Sequence, residues 1–105
     1  MNPLIQKSQG IAGDGKAIIF WKSNETSQNP ITYFIVQYYE IVGDSRIIHS
    51  KLIPKTKQTE YTASIEGLKN NVQYLFQVVG VNKNGLGQVE EGNILLPESD
   101  ATLFE

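Results

Sequence analysis

The sequence predicts an all-β domain, a sandwich of seven short antiparallel strands, and three observations predict it. Long apolar runs alternate between apolar and other residues with period two, as strands do. Turn residues separate these runs at short intervals. No segment repeats its apolar residues at the spacing of a helix. The 105 residues are the length of one domain, and the 40% hydrophobic content is sufficient for a packed core.

Seven runs carry the strand pattern, and turn residues divide them. We expect the strands at residues 4–8, 16–22, 31–42, 46–53, 59–65, 72–82 and 87–96. The glycine-rich stretch "GIAGDG" predicts a turn after the first strand. Pro54 closes the fourth, and Asn84-Gly85 after the sixth is a dipeptide typical of hairpins.

Tyr74 stands near the start of the sixth run, six residues after Leu68. If Tyr74 faces inward, Phe76 and Val78 do so too, because alternate strand residues share a face. A tyrosine at this point can bury its ring and still bond its hydroxyl to backbone a few residues upstream, the arrangement called a tyrosine corner. Phenylalanine would fill the space but leave a polar group of the turn unpaired.

Three stretches resemble fibronectin type III domains. "AIIFW", which contains Trp21, resembles the B strand of that family, and "PITYFIVQYY" resembles its C strand. "SIEGLKNNVQYLFQVVGVNKNGLG" resembles the E strand, the tyrosine corner, the F strand and the F–G turn. The resemblance implies an immunoglobulin-like sandwich with sheets A-B-E and C′-C-F-G. We expect residues 1–97 to form the domain and residues 98–105 to form a linker or tail.

An immunoglobulin domain is the near alternative. Such a domain keeps its tryptophan on strand C and a cysteine two residues after the corner tyrosine. Here Trp21 precedes the polar B–C loop, and Phe76 stands where that cysteine would be. Both observations favour the type III family. The expected structural core comprises Trp21, Phe34, Val36, Leu68, Tyr74 and Phe76.

No residue pattern predicts catalysis, a cofactor or a metal site. The chain has no cysteine, and its one histidine, His49, lies in a predicted edge strand beside Arg46 and Lys51. We interpret His49 as a solvated residue that protects this edge. Glu90-Glu91, an adjacent acidic pair, is interpreted as part of a solvated strand face. We therefore predict a domain that is not an enzyme and needs no cofactor.

The net charge and the hydropathy of the chain argue against nucleic acid and membrane lipid as binding partners. The net charge of -2 provides no basic surface for a nucleic acid backbone. No apolar run approaches the roughly 20 residues of a membrane helix, so direct membrane insertion is not expected. We expect instead a protein partner or a neighbouring domain. The sequence does not fix the oligomeric state.

The outward side of the C and F strands is the predicted protein interface. If Phe34 and Val36 face the core, the residues between them face solvent. The centre of this surface would comprise Ile35, Tyr39, Leu75 and Val79. A contiguous apolar surface often marks an interface; the alternative is that these side chains reflect strand propensity and are partly covered. The second candidate surface is the loops, residues 23–29 and the F–G loop with Asn82, Lys83 and Asn84.

The resemblance implies a non-catalytic protein-binding or spacer module of a larger multidomain protein of the cell-surface, adhesion or receptor type. One alternative is an intracellular scaffold module of a cytoskeletal, muscle or chromatin-associated protein, which would be cytoplasmic. Another is an accessory domain of a secreted carbohydrate-active enzyme. Asn24-Glu25-Thr26 is a sequon, so a glycan at Asn24 would indicate the extracellular location.

Overall fold

The computed structural model describes residues 5–23 and 30–98, and seven strands lie within these ranges. The strands are β1 (Ile5–Gly13), β2 (Lys16–Ser23), β3 (Ile31–Val42), β4 (Ser45–Pro54), β5 (Glu60–Glu66), β6 (Tyr74–Asn82) and β7 (Gly85–Glu91). None of the described residues is helical. The predicted all-β class is confirmed.

The strands form two antiparallel sheets. One sheet has the order β1-β2-β5 and the other has the order β4-β3-β6-β7. In the lettering of the sandwich family these are A-B-E and C′-C-F-G, so the predicted immunoglobulin-like layout is confirmed. Sequence neighbours β1–β2, β3–β4 and β6–β7 are joined as hairpins. The chain changes sheets between β2 and β3, between β4 and β5, and between β5 and β6.

Side chains from both sheets meet in one core. Trp21 from β2 stacks on Tyr61 from β5 with ring centroids 5.8 Å apart, and Phe34 from β3 packs against Trp21 in a T-shaped arrangement with ring centroids 5.4 Å apart. Five of the expected core residues are buried, and these are Trp21, Phe34, Val36, Tyr74 and Phe76. Leu68 is only partly buried and packs against the core from its margin. The aromatic centre thus joins the two layers.

The first strand is longer than the sequence predicted. β1 continues to Gly13 through residues that were expected to form a turn, and the turn is confined to Asp14 and Gly15. A register shift between Gln6 and Gln9 marks a bulge in the pairing with β2. Gly10 is required within the strand because a side chain there would meet Leu95 and Phe76 of the core, at 2.7 and 2.9 Å.

The last strand is interrupted where the sequence predicted continuous strand to residue 96. β7 ends at Glu91, and the next residue, Gly92, lies so close to the ring of Phe76 that no side chain fits there. Pairing with β6 resumes at Leu95, whose backbone exchanges two hydrogen bonds with Tyr74, at 2.8 and 2.9 Å. Between them, the Asn93 amide accepts from the N–H of Gly10 and donates to its carbonyl, which attaches this segment to β1.

We predict that Trp21→Ala lowers the free energy of unfolding by about 3–5 kcal/mol, because it removes the largest side chain between the sheets and leaves a cavity. Urea denaturation followed by far-ultraviolet circular dichroism measures this loss. Ile18→Ala is the matched control, since Ile18 lies on the opposite face of the same strand and is 49% exposed. It should change the free energy by about 0.5 kcal/mol or less. Equal losses in the two variants would contradict the assigned core.

Candidate functional site

The candidate site is the outer face of the β4-β3-β6-β7 sheet, where side chains lie in rows across the strands. Directly opposed residues of antiparallel strands point to the same face. The Ile35 row comprises Leu52, Ile35, Val79 and Val89. The Tyr39 row comprises Ile48, Tyr39 and Leu75. The Gln37 row lies between them and comprises Ser50, Gln37, Gln77 and Glu91. The predicted interface residues therefore share one face, divided between two apolar rows.

The side chains in these rows differ in their exposure to solvent, and this corrects the prediction that Val79 lies at the centre of the interface. Leu52 and Ile48 on the edge strand β4 are 59% and 63% exposed, whereas Val79 is only 5% exposed. Val79 lies in β6, between β3 and β7, so Ile35 and Val89 flank its short side chain on both sides. Val79 is therefore covered by its neighbours on this face and cannot be a main contact residue. Ile35, Tyr39 and Leu75 are half-buried.

Polar side chains fix the position of the Tyr39 ring. The Tyr39 hydroxyl donates to Oε1 of Gln77 at 2.8 Å, and Nε2 of Gln77 donates to Glu91 at 3.2 Å. A hollow of about 210 Å³ opens beside Leu75, with Arg46 and Glu91 among the residues that line it. The site thus combines an oriented aromatic ring, apolar neighbours and charges of both signs.

The loop candidates differ in their exposure to solvent. Asn82 was expected to contact a partner, but it is buried, and its Oδ1 accepts the backbone N–H of Asn84 at 2.8 Å. Asn82 therefore stabilises the F–G turn, because an asparagine side chain can bond backbone two residues on. Lys83 and Asn84 are exposed. Asn24 and the rest of the B–C loop from 24 to 29 lie outside the described residues, as do residues 99–105 of the expected tail.

The tyrosine corner is present as predicted. The ring of Tyr74 is buried, and its hydroxyl accepts the backbone N–H of Lys69 at 2.9 Å. The same hydroxyl donates to Oε1 of Glu40 at 3.4 Å. A second tyrosine makes a similar contact, since Tyr61 both accepts from and donates to the backbone of Thr56, at 3.2 and 3.0 Å. The residue pattern of β5, with Tyr61, Ala63 and Ile65 alternating, contained the signal for this second core tyrosine.

Sequence reasoning missed the buried carboxylate of Glu40. Its side chain is 6% exposed at the inner face of β3, and the Lys69 ammonium lies 2.8 Å from Oε2. The hydrogen bond from Lys69 holds the pKa of Glu40 below its ordinary value of 4.5, although burial acts in the opposite direction. The same hydrogen bond raises the pKa of Lys69. The alternation that places Phe34, Val36 and Tyr38 inward also places Glu40 inward. It does not show that Lys69 is the residue that pairs with the Glu40 carboxylate.

His49 lies on the edge strand β4, as the sequence predicted, and is exposed. Its ring stacks on Tyr38 with centroids 5.0 Å apart, and Nε2 lies 3.9 Å from Glu40. His49 therefore covers the margin of the tyrosine corner, a contact that the sequence did not indicate. A cleft of about 320 Å³ lies beside this cluster.

The described residues contain no group of three potential metal ligands. Within the same ranges, no helix is long and apolar enough to cross a membrane.

The fold and the corner together define an immunoglobulin-like sandwich, and comparison with known proteins places it in a family. The model of the fibronectin type III domain matches residues 9–94. The chain belongs to the fibronectin type III family, as its B, C and F strand motifs predicted.

Curated relatives of this chain are far longer than it is. Mouse protein sidekick-2 is 33% identical over 86 residues, which cover 82% of this chain and 4% of that protein. Chicken protein sidekick-2 is 39% identical over 74 residues, which cover 70% of this chain and 3% of that protein. The chain therefore spans about 3–4% of the length of the curated relatives it matches.

Solved structures share the fold at low identity. The FN5 domain of Drosophila Lar superposes with a TM-score of 0.67 at 14% identity, covering 90% of this chain and 94% of that one. The twitchin kinase region from C. elegans superposes with a TM-score of 0.65 at 23% identity, covering 90% of this chain and 17% of that one. These likenesses show the fold alone.

We predict that Glu40→Gln removes part of the acid sensitivity of the domain. Because the folded-state pKa of Glu40 is lowered, its contribution is present above the ordinary value of 4.5 and is lost as the pH falls through the lowered pKa. The parent should therefore exceed Glu40→Gln in stability near pH 7, and the difference should shrink toward pH 3. Urea denaturation across this range measures it. Glu66→Gln, at an exposed position, is the control. A constant difference between parent and Glu40→Gln would contradict the assigned ion pair.

Proposed function

We propose that the chain is one module of a larger multidomain protein, in which it contacts a protein partner or a neighbouring domain and performs no catalysis. The outer face of the β4-β3-β6-β7 sheet is the observation that carries this proposal. Antiparallel sheets usually present a polar outer face to water. Here two apolar rows cross the strands, and their members at the sheet edges are the most exposed.

The length of the relatives supports the modular part of the proposal. A chain that matches 3–4% of a relative corresponds to one domain among many in that relative. The described contacts reach the last residue of the expected domain, because the N–H of Asn71 bonds the carbonyl of Pro97, and they continue one residue into the expected tail, where the N–H of Glu98 bonds the carbonyl of Gly13. Residues 98–105 would then connect this module to the next one.

The composition of the face supports a protein as the partner. Tyrosine is common at protein interfaces because its ring contributes area while its hydroxyl contributes a hydrogen bond. Tyr39 has this arrangement, with Leu75 beside it and Ile48 on the adjacent strand. Arg46 and Glu91 supply a charged margin. Such a centre with a polar rim is the general anatomy of a protein interface.

The parent protein is proposed to be of the cell-surface, adhesion or receptor type, with this module outside the cell. The resemblance to type III modules supports this location, and the sequon at Asn24 is compatible with it. An epitope-tagged parent should be cut by protease applied to intact cells. A parent that stays intact under this treatment while lysed cells yield fragments would place the module inside the cell.

We predict that Tyr39 and Leu75 are covered in the assembled parent protein. Hydroxyl-radical footprinting, followed by mass spectrometry, reports the accessibility of each side chain. Both residues should be oxidised at least about threefold less in the parent with its partners than in the isolated domain, because a protein contact excludes water from its centre. Ile11 and Ile18 are the internal controls, since they are exposed on the outer face of the other sheet. Equal oxidation of Tyr39 and Leu75 in both samples would refute this surface.

A further inference from the structure

The sequence contains a single Asn-Gly dipeptide, Asn84-Gly85, and the structure places it at the tip of the β6–β7 hairpin. Lys83 and Asn84 form the turn between Asn82, the last residue of β6, and Gly85, the first residue of β7. Both Asn84 and Gly85 are exposed to solvent. The dipeptide is typical of hairpins, and an exposed asparagine before a glycine also has a chemistry of its own.

An asparagine side chain can react with the backbone nitrogen of the residue that follows it. This nitrogen loses its proton and attacks the side-chain carbonyl carbon, Cγ, so that a new bond between nitrogen and Cγ forms. The bond from Cγ to the side-chain nitrogen breaks, and that nitrogen leaves as ammonia with the proton that the backbone lost. The product is a five-membered succinimide ring in the main chain. Water then opens the ring at either carbonyl and gives aspartate or isoaspartate.

Gly85 leaves the attacking nitrogen accessible. Its φ of +121° is an angle that glycine adopts readily and residues with a Cβ do not. Apart from its two chain neighbours, no atom of the described residues lies within 4 Å of the point where a Cβ would stand. The succinimide ring and the entering water molecule therefore have room at this position.

The tip of the hairpin can open without disturbing the rest of the sheet. The β6–β7 pairing shifts register between Val79 and Val81. Among the described residues, two residue pairs lie between this shift and the turn, and the last of them is Asn82–Gly85. A bulge interrupts the ladder, and the end of a strand opens more easily than its centre. Ring closure requires rotation of the backbone between Asn84 and Gly85, and this rotation disturbs these two pairs alone.

The other described asparagines lack this combination of features. Each of them precedes a residue whose side chain shields the backbone nitrogen, and they are Asn70, Asn71, Asn82 and Asn93. The Asn93 amide also exchanges two hydrogen bonds with the backbone of Gly10. Within the described part of the chain, Asn84 is therefore the asparagine at which both the next residue and the exposure favour ring closure.

We propose that Asn84 is a site of spontaneous deamidation, which converts the F–G turn irreversibly to an aspartate and an isoaspartate form. The co-reactant is water, so the reaction does not depend on the proposed partner. Each event adds one negative charge to a chain whose net charge is -2. The new carboxylate lies next to Lys83, in the loop that is the second candidate contact surface.

The isoaspartate form also changes the backbone of the turn. Its main chain passes through Cβ and Cγ of the former asparagine, which adds one carbon atom between positions 84 and 85. The turn is closed tightly at this point, because Oδ1 of Asn82 accepts the N–H of Asn84 at 2.8 Å and Asn82 pairs with Gly85. The added carbon therefore shifts Gly85 relative to Asn82. The aspartate form keeps the original backbone and carries the same added charge.

Incubation of the folded 105-residue chain in heavy-oxygen water at neutral pH tests the proposal. Peptide mapping with tandem mass spectrometry locates each product. Position 84 should carry the heavy label and should contain both aspartate and isoaspartate, because water opens the ring on either side. Asn93 is the internal control, and Asn84 should react at least about tenfold faster than it does. The folded chain should react at Asn84 no more than about tenfold slower than the urea-unfolded chain, since two residue pairs protect the turn weakly.

Asn84→Gln is the matched variant. It keeps an exposed amide and the following Gly85, but its reaction would require a six-membered ring, which closes far more slowly. This variant should show no product at position 84 during the time in which most of the parent is converted. Far-ultraviolet circular dichroism should be the same for both chains, because the substitution leaves the strands unchanged.

Three results would overturn the proposal. One is a folded chain that stays unmodified at position 84 while the unfolded chain is converted, which would show that the hairpin prevents ring closure. The second is equal conversion of Asn84 and Asn93, which would show that the following glycine and the exposure do not select the site. The third is aspartate without isoaspartate at position 84, which would indicate direct hydrolysis of the amide.

Discussion

The backbone N–H of Lys69 donates a hydrogen bond to the Tyr74 hydroxyl. Lys69 lies in the segment that connects β5 of the three-stranded sheet to β6 of the four-stranded sheet, so this bond attaches the connecting segment to β6. Tyr74 begins β6, and the phase of β6 decides which of its residues enter the core. With Tyr74 inward, Phe76 is buried and Leu75 faces outward. A slip of one residue would exchange the two faces of the strand. The inward position of Tyr74, which this contact supports, therefore places Leu75 on the proposed contact surface.

Charge reinforces the same corner. Glu40 is a buried carboxylate, which costs free energy unless charges and hydrogen bonds compensate it. Lys69 supplies an ammonium group, Tyr74 supplies a hydroxyl donor, and the His49 ring covers the margin through its stacking on Tyr38. Lys69 serves twice, because its backbone bonds Tyr74 and its side chain bonds Glu40. The corner is thus a small network in which the loop, β3 and β6 are joined.

Period-two alternation predicted the all-β class and which residues share a face, because burial in a sandwich is decided largely by the face that a residue occupies. The layout of the two sheets came from the resemblance to the type III family. The same alternation contained Tyr61, which went unrecognised as a second core tyrosine. Alternation does not give the depth of burial, and Val79 shows this. It occupies the outer face as predicted, yet its neighbours in β3 and β7 cover it.

Contacts between residues far apart in the chain were the part that the sequence did not reveal. The Glu40–Lys69 pair joins a strand to a loop, and no local pattern connects them. Gly10 and Gly92 were taken as turn or strand residues without a reason for glycine at either place. The structure supplies that reason, since Leu95 and Phe76 occupy the space beside Gly10 and the ring of Phe76 lies against Gly92. Tertiary packing, not turn geometry, requires them.

Hydrogen exchange at the Lys69 amide tests the central contact most directly. Measured by nuclear magnetic resonance, this amide should exchange about a hundredfold or more slower than in an unstructured peptide, because Tyr74 accepts its hydrogen. In Tyr74→Phe the protection should be lost, while the Asn71 amide, which bonds Pro97, keeps most of its own. A Lys69 amide that is unprotected in the parent, or equally protected in Tyr74→Phe, would contradict the account.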